Sequence, residues 1–392
     1  MKIIIDGTNT INKGAELMLY SILEQIENKY PESSVIFNDN NPNIQIPKIK
    51  THLHFRKPLR LMLGPYPWVI LSRLHLPYSW FTELYPPKHP DLILDASGFR
   101  LGDQWNHSEE YLENLEYYYK TVKAQGAKII LLPQAFGPFK THSGKKSTEI
   151  LNNYVDLIIA REPTSKKHLK EAGINPGKIL HYSDFTIATK GIFPVKYHHV
   201  KGSVCIIPNR KMITHTRFTP QDYFGKMESI ISLIQESGKQ VFLLNHEGNK
   251  DLKICKGINR MFDNRLTIIT GLDAKEIKGV IGSSYMVISS RYHGIASALN
   301  QGVPCLATSW SHKYQLLFED FNVKDHIIDL NEKPEHTKNK IESLLDPDNH
   351  SKLRKHLFIQ IKELKSNTER MWKIVWQVAE ERNSDIKSIT NC

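Results

Sequence analysis

The stretch YMVISSRYHGIASALNQGVPCLATSWSHKY, residues 285–314, decides how the chain is read. Its first five residues are a short apolar, β-branched run, which predicts a buried strand. The polar elbow SSRYHG follows; residues 295–300 then read as a helix that stops at Gly302, and residues 303–308 as the next strand. A strand, an elbow and a helix in that order put ligands at the carboxyl end of a parallel sheet, where helix amides and their dipole favour an anion. Arg291 and His293 stand at that place. A guanidinium fork grips phosphate or carboxylate at two points, and imidazole gives and takes a proton near neutrality. Local spacing alone also allows a plainer reading, in which the pair caps or braces a helix start.

Working outward, the same alternation fills residues 203–347. Strands at 204–207, 240–244 and 266–269 alternate with helices near 220–236, 249–262 and 273–282, and a last short strand falls at 326–330. This predicts a doubly wound α/β domain. Its other elbows, IPNRK and LNHEG, bring Asn209, Arg210, Asn245, His246 and Glu247 to the edge that carries Arg291 and His293. Residues 186–202 lack periodicity and mix Gly, Pro and basic residues, so they are expected to be a linker. From residue 348 to the end, apolar residues recur at three- and four-residue steps, which predicts a helical segment long enough to cross back over the first domain.

Residues 1–185 show the same grammar. A strand at 2–6, the loop GTNTINKG and a helical run open a βαβ unit without GxGxxG and without GKS or GKT. Asn12, Gly14 and Glu16 mark the helix entrance. Gly14 lets backbone approach a ligand and free amides point outward, unless the residues only cap the helix. Strands at 35–38, 91–95, 128–132 and 155–160 follow, with residues 39–56 reading as irregular. Small Ser97 and Gly98, Gln134 in PQAFGPF, and Arg161 in REPTS each follow a strand. Residues 56–81, basic, aromatic and apolar at once, read either as a surface helix on anionic lipid or as a lid or core segment. Pro65, Pro67 and Pro77 forbid one long amphipathic helix there.

The 392 residues suffice for two domains. With 40% hydrophobic and 24% charged residues, neither disorder nor an integral membrane protein is indicated. A net charge of +11 favours acidic partners, but no zinc spacing or aromatic RNA-binding signature supports nucleic acid. Four scattered cysteines fit a reduced protein. The N-terminus has no signal-peptide pattern and no long apolar run occurs, so the expected address is cytoplasmic, with peripheral contact at the inner face of the membrane as a variant. The arginines Arg161, Arg210 and Arg291 at strand-end elbows suit a small multiply charged anion, and His293 is their candidate for proton transfer. No GxSxG, CxxC or HExxH occurs, and no metal is implied.

At this point NKGAELML, the loop after DLILD, LLPQAFGPF, IIAREPTSKKHLKEAGI, NHEG and above all SSRYHGIASALNQGVPCLATSW resemble the polysaccharide pyruvyl transferase family, in the family's order, over residues 1–325. The resemblance implies two Rossmann-like domains facing across a GT-B-like cleft, with the first on the acceptor side and the second on the donor side. It implies transfer of pyruvate from phosphoenolpyruvate, as co-substrate and without a cofactor, to a sugar of a cell-surface glycan or its precursor. It also implies that Arg291 and His293 touch phosphoenolpyruvate and that Arg161 is a second anion ligand. Arg210 and Asn245 would help or face the acceptor, and Asn12 and Glu16 would face sugar hydroxyls. The chain departs from the family at DASGF, where a run of glycines is common, and at Tyr292, where Leu is common. A nucleotide-sugar glycosyltransferase on the same fold and a non-catalytic binder of anionic glycans are the competing readings.

Overall fold

The structure, a computed structural model, describes residues 1–38, 52–56, 88–308, 313–323 and 325–381. Residues 57–81 of the basic aromatic stretch, and Cys392, lie outside them. The chain forms two units, Met1–Thr186 with Asn367–Cys392, and Ile187–Ser366.

In the first unit the apolar runs become β1 (Lys2–Asp6), β2 (Ser34–Asn38), β3 (His52–Arg56), β4 (Leu92–Asp95), β5 (Lys128–Gln134), β6 (Leu157–Ala160) and β7 (Ile179–His181). Between them run α1 (Lys13–Lys29), α2 (Glu109–Ala124), α3 (His142–Tyr154) and α4 (Pro163–Glu171). The strands are parallel in the order β3-β2-β1-β4-β5-β6-β7. A parallel sheet is covered on both faces, which is why Ile3, Ile5 and Leu94 enter one apolar core while Ile4, Ile93 and Leu131 enter another.

The second unit repeats the plan with β8 (Val204–Ile207), α5 (Lys211–Thr214), α6 (Pro220–Glu236), β9 (Val241–Leu244), α7 (Gly248–Arg260) and β10 (Thr267–Ile269). It continues through α8 (Ala274–Gly282), β11 (Met286–Ser289), α9 (Tyr292–Leu299), β12 (Cys305–Thr308), α10 (Lys313–Asp320), β13 (Ile327–Ile328), α11 (Pro334–Leu345) and α12 (Pro347–Glu380). The order is β10-β9-β8-β11-β12-β13, again parallel. In both sheets the winding direction reverses once, between β1 and β4 and between β8 and β11. Such switch points open a crevice at the strand ends, and open α/β sheets bind their ligands there.

Several elements differ from the sequence expectation. HLHFR, read as irregular, is β3, and the largely polar α3 and short β7 carried too weak an apolar pattern to be seen. Residues 186–202, expected as a linker, belong from residue 187 to the second unit. Contact with α8 explains this. The Ile192 N–H donates to Lys275 O at 2.9 Å, and a Cβ on Gly191 would stand 2.5 Å from Gly279 N. Backbone packed on backbone fixes this stretch, so no side-chain period marks it.

Helix α12 serves both cores. Leu357 and Ile361 are buried in the second unit, and Met371, Trp372, Val375 and Trp376 in the first, beside Ile3 and Leu19. Its far end is tied to α1 where Tyr30 Oη donates to Glu380 at 2.5 Å. Cys205, Cys255 and Cys305 are free and buried, and burial pushes the Cys255 thiol up to about 12. No helix among the described residues is long and apolar enough to cross a membrane.

Candidate functional site

In the second unit the switch point is built around Ser290 and Arg291. The Ser290 N–H donates to Ile207 O at 2.9 Å, and its carbonyl accepts from Asn209 Nδ2 at 3.0 Å and from Tyr314 Oη at 2.7 Å. Its hydroxyl bonds Tyr223 Oη at 3.0 Å and also Thr308 Oγ1. Four neighbouring segments thus fix one residue of backbone, and the elbow is rigid before any ligand arrives. Gly294 lets α9 close on this elbow, since a Cβ there would lie 2.5 Å from Ser289 Oγ and 3.0 Å from Ile207 Cδ1.

Arg291 occupies the N-cap position of α9 in extended conformation, and no side chain caps that helix. The plain reading of Arg291 as a capping residue is therefore not what its side chain does. Its Nε donates to Asp251 Oδ2 at 2.6 Å, Nη2 lies 2.5 Å from the same oxygen, and Nη1 pairs with Glu247. Asp251 is 1% exposed and its other oxygen accepts from the Arg210 N–H at 3.1 Å. Burial pushes the Asp251 carboxyl up, and Arg291 pulls it back toward the charged form. Of the five guanidinium N–H donors, three are committed to these carboxylates, which leaves two for an anion. His293, one residue inside α9, is half-buried and meets Tyr292 edge-on, with centroids 5.4 Å apart.

The other expected residues of this unit divide. Arg210 contributes its backbone and keeps an exposed side chain. Asn245, buried at the end of β9, gives its amide to Thr270 Oγ1 at 2.9 Å, while its Oδ1 has no partner among the described residues. Asp251 was not anticipated. Its signal was present, because residues 251, 254, 255 and 258 share the buried face of α7 and a carboxylate on such a face needs a cationic partner.

In the first unit the two elbows meet at Gly7. With φ at +76°, it lies so close to the next elbow that a Cβ would stand 2.1 Å from Ser97 Oγ. Beneath them Asp6 and Asp95 are in register on β1 and β4, both buried. Tyr118 donates to Asp6 at 2.9 Å, and Asp95 accepts from Arg100 Nη1 at 2.9 Å and from Ser97 Oγ at 2.6 Å. Gln134, fully buried, reaches Asp95 O at 3.4 Å. Above them opens a pocket of about 580 Å³ whose walls include Asn9, Asn12, Ser97, Trp105 and Tyr111. Gly98, at φ +71°, needs glycine for its backbone conformation.

At the entrance to α1 the capping alternative describes Asn12. Its Oδ1 accepts from Gly14 N–H at 2.9 Å and Ala15 N–H at 3.2 Å, so the expectation that Gly14 leaves a free amide toward a ligand is corrected. Glu16 is 3% exposed, pairs with Lys13 at 2.6 Å and accepts from Tyr20 Oη at 3.1 Å, an internal charge rather than an open wall residue. Arg161, also of this unit, is 8% exposed and its guanidinium donates to Glu162 Oε1 at 3.2 Å. Of the three arginines expected to act together, Arg161 is buried in the first unit, while in the second Arg291 is half-buried and Arg210 exposed.

Residues 12–312 match the family model described as polysaccharide pyruvyl transferase. The chain is similar to the amylovoran biosynthesis protein AmsJ of Erwinia amylovora, 19% identical over 206 residues that make up 47% of this chain and 50% of that protein. The match thus spans about half the length of the curated relative. Among solved structures, a UDP-GlcNAc 2-epimerase from Methanocaldococcus jannaschii aligns with TM-score 0.58 at 13% identity, covering 96% of this chain and 100% of its own. The Anabaena protein Alr3699/HepE, solved in complex with UDP-glucose, aligns with TM-score 0.52 at 14% identity, covering 97% and 98%. Likeness at this identity shows the GT-B-like fold alone.

Proposed function

The chain belongs to the polysaccharide pyruvyl transferase family, and on that footing we propose that it transfers pyruvate from phosphoenolpyruvate to a sugar of a surface glycan as a ketal, releasing phosphate. The observation that carries the reading is the R-x-H elbow: a rigid switch point inside the matched span presents Arg291 uncapped, with His293 beside it.

In this reading the two uncommitted N–H donors of Arg291 bind the anionic donor, whose charge competes with Glu247. Glu247, 26% exposed at its side chain, is the partner that can yield, whereas Asp251 is sealed beneath. Protonated His293 delivers a proton to the methylene carbon C3, and the C2 cation so formed is attacked by one sugar hydroxyl. The bond from C2 to the phosphate oxygen then breaks and a second hydroxyl closes the ketal; of the two hydroxyl protons released, one returns to His293 and the other leaves with phosphate. Fixed dipoles and charges around the donor stabilise the developing charge without reorganising. Arg161 is proposed as a second anion ligand.

The test is incubation with phosphoenolpyruvate and a pool of glycan acceptors, with phosphate release measured beside the methyl resonance of a pyruvate ketal. Stoichiometric appearance of both supports the reading. Turnover of UDP- or GDP-sugars with no consumption of phosphoenolpyruvate would replace it with glycosyl transfer.

A further inference from the structure

We infer that the pocket at the β1/β4 switch point binds a pyranose ring of the acceptor glycan, stacked on the indole of Trp105. This rests on the glycan-transferase reading and adds to it a subsite, a class of ligand and the residue that sets its affinity.

Four observations converge there. The first is size, since a volume of about 580 Å³ falls within the roughly 300–1,000 Å³ of ordinary small-ligand pockets. The second is apolar surface left in water at a concave place. Trp105 is 49% exposed and Ile11 57% exposed, and both line the pocket. A flat exposed indole beside polar groups suits a ligand with an apolar C–H face and a rim of hydroxyls, which is a sugar ring. The third is hydrogen-bonding capacity. Asn9 spends its Oδ1 on the Ile11 and Asn12 N–H groups at 3.1 and 2.8 Å and leaves its amide donors uncommitted. Thr8, 6% exposed, has a hydroxyl with no hydrogen-bond partner among the described residues.

The fourth is charge. Arg100 is the one ordinarily charged side chain of the lining, and it is held by Asp95 at 2.9 Å and Tyr111 Oη at 2.7 Å. His107, stacked on Tyr111 at 4.1 Å, is kept toward the neutral form by burial, which outweighs the opposing hydrogen bond to the Arg100 carbonyl, while the Arg100 charge adds a smaller push the same way. The pocket is therefore close to neutral, and it lacks the glycine fingerprint that would bring a pyrophosphate to α1. Such a lining suits a neutral sugar better than a nucleotide or phosphoenolpyruvate.

The platform is also held in place. Asp103, two residues before Trp105, accepts from the Lys140 N–H at 2.7 Å and from the Thr141 N–H and hydroxyl at 3.1 and 2.7 Å. Burial alone would raise the Asp103 carboxyl, but these hydrogen bonds outweigh it and hold the group below the usual carboxylate range. Phe99 meets Trp105 edge-on with centroids 5.9 Å apart. A stacking surface fixed in advance loses little entropy on binding.

The experiment is saturation-transfer NMR on the full chain with the methyl glycosides of glucose, galactose, mannose and N-acetylglucosamine, repeated on Trp105→Ala and Trp105→Phe. Because Trp105 is exposed, both variants should fold, which thermal melts check. At least one glycoside should receive saturation mainly at its ring C–H protons, with Kd weakened about tenfold in Trp105→Ala and largely restored in Trp105→Phe. Equal binding by wild type and Trp105→Ala, or no transfer to any glycoside, would overturn the inference. Phosphoenolpyruvate is titrated into the same samples. If it fails to bind while glycosides bind through Trp105, the donor reading falls and the subsite stands.

Discussion

The β1/β4 and β8/β11 junctions are built from one topology, with the reversal of strand order in the same place, and each buries a carboxylate that holds an arginine, yet they surround that arginine differently. At β1/β4 the carboxylates Asp6 and Asp95 lie in register beneath the floor, bonded to Tyr118, Ser97 and Arg100, and Arg100 is the one ordinarily charged side chain in a lining otherwise of aromatic, amide and hydroxyl groups. At β8/β11 the buried carboxylate Asp251 reaches forward to hold a guanidinium at the helix entrance. A switch point only offers a crevice. Whether it reads an anion or a neutral sugar depends on what surrounds its arginine: two carboxylates and a nearby histidine at β8/β11, one carboxylate among aromatic rings at β1/β4.

The comparison breaks most visibly at His293. His293→Ala is expected to lower turnover by a factor on the order of 10² or more, with phosphoenolpyruvate binding and glycoside binding both retained, as steady-state rates and calorimetry on one preparation would report. Near-normal turnover would remove His293 from the chemistry. A smaller effect separates the two units. Gly7→Ala forces a Cβ into Ser97 at a residue with positive φ, so it should cost about 1–3 kcal/mol of stability and reshape the first pocket. Glycoside binding should weaken while phosphoenolpyruvate affinity stays within twofold, measured by denaturant titration and calorimetry. Loss of donor binding in this variant would mean the two junctions are not independent. The mildest change sharpens the anion side. Glu247→Gln removes the exposed competitor for Arg291 and leaves Asp251 in place, so phosphoenolpyruvate should bind a few-fold tighter, with the gain shrinking at high salt. Weaker binding would show that Glu247 positions the guanidinium rather than competing for it.

Much of this architecture is legible in the sequence because parallel strands are buried on both faces and leave unbroken apolar runs, as in 286–289 and 204–207. The elbow arginine is legible for the same reason, since a charge directly after such a run stands out. What escapes is whatever depends on residues far apart in the chain. Nothing near Arg291 announces that Asp251, forty residues earlier, holds it, although the position of Asp251 on the apolar face of α7 was a usable hint. Trp105 escapes because a loop tryptophan has no period to betray whether it is buried or presented. Asn12 shows the reverse error: a residue legible as functional by position turns out to spend its side chain on the helix it opens.

The central claim is that the Arg291 elbow is an anion site for phosphoenolpyruvate. The most direct test is calorimetric titration of the chain with phosphoenolpyruvate, UDP and GDP, repeated on Arg291→Lys, which keeps the charge beside Asp251 but loses the fork. Binding of phosphoenolpyruvate alone, weakened at least tenfold in the variant, is the predicted result. Binding of a nucleotide alone, or phosphoenolpyruvate affinity unchanged by Arg291→Lys, would contradict it.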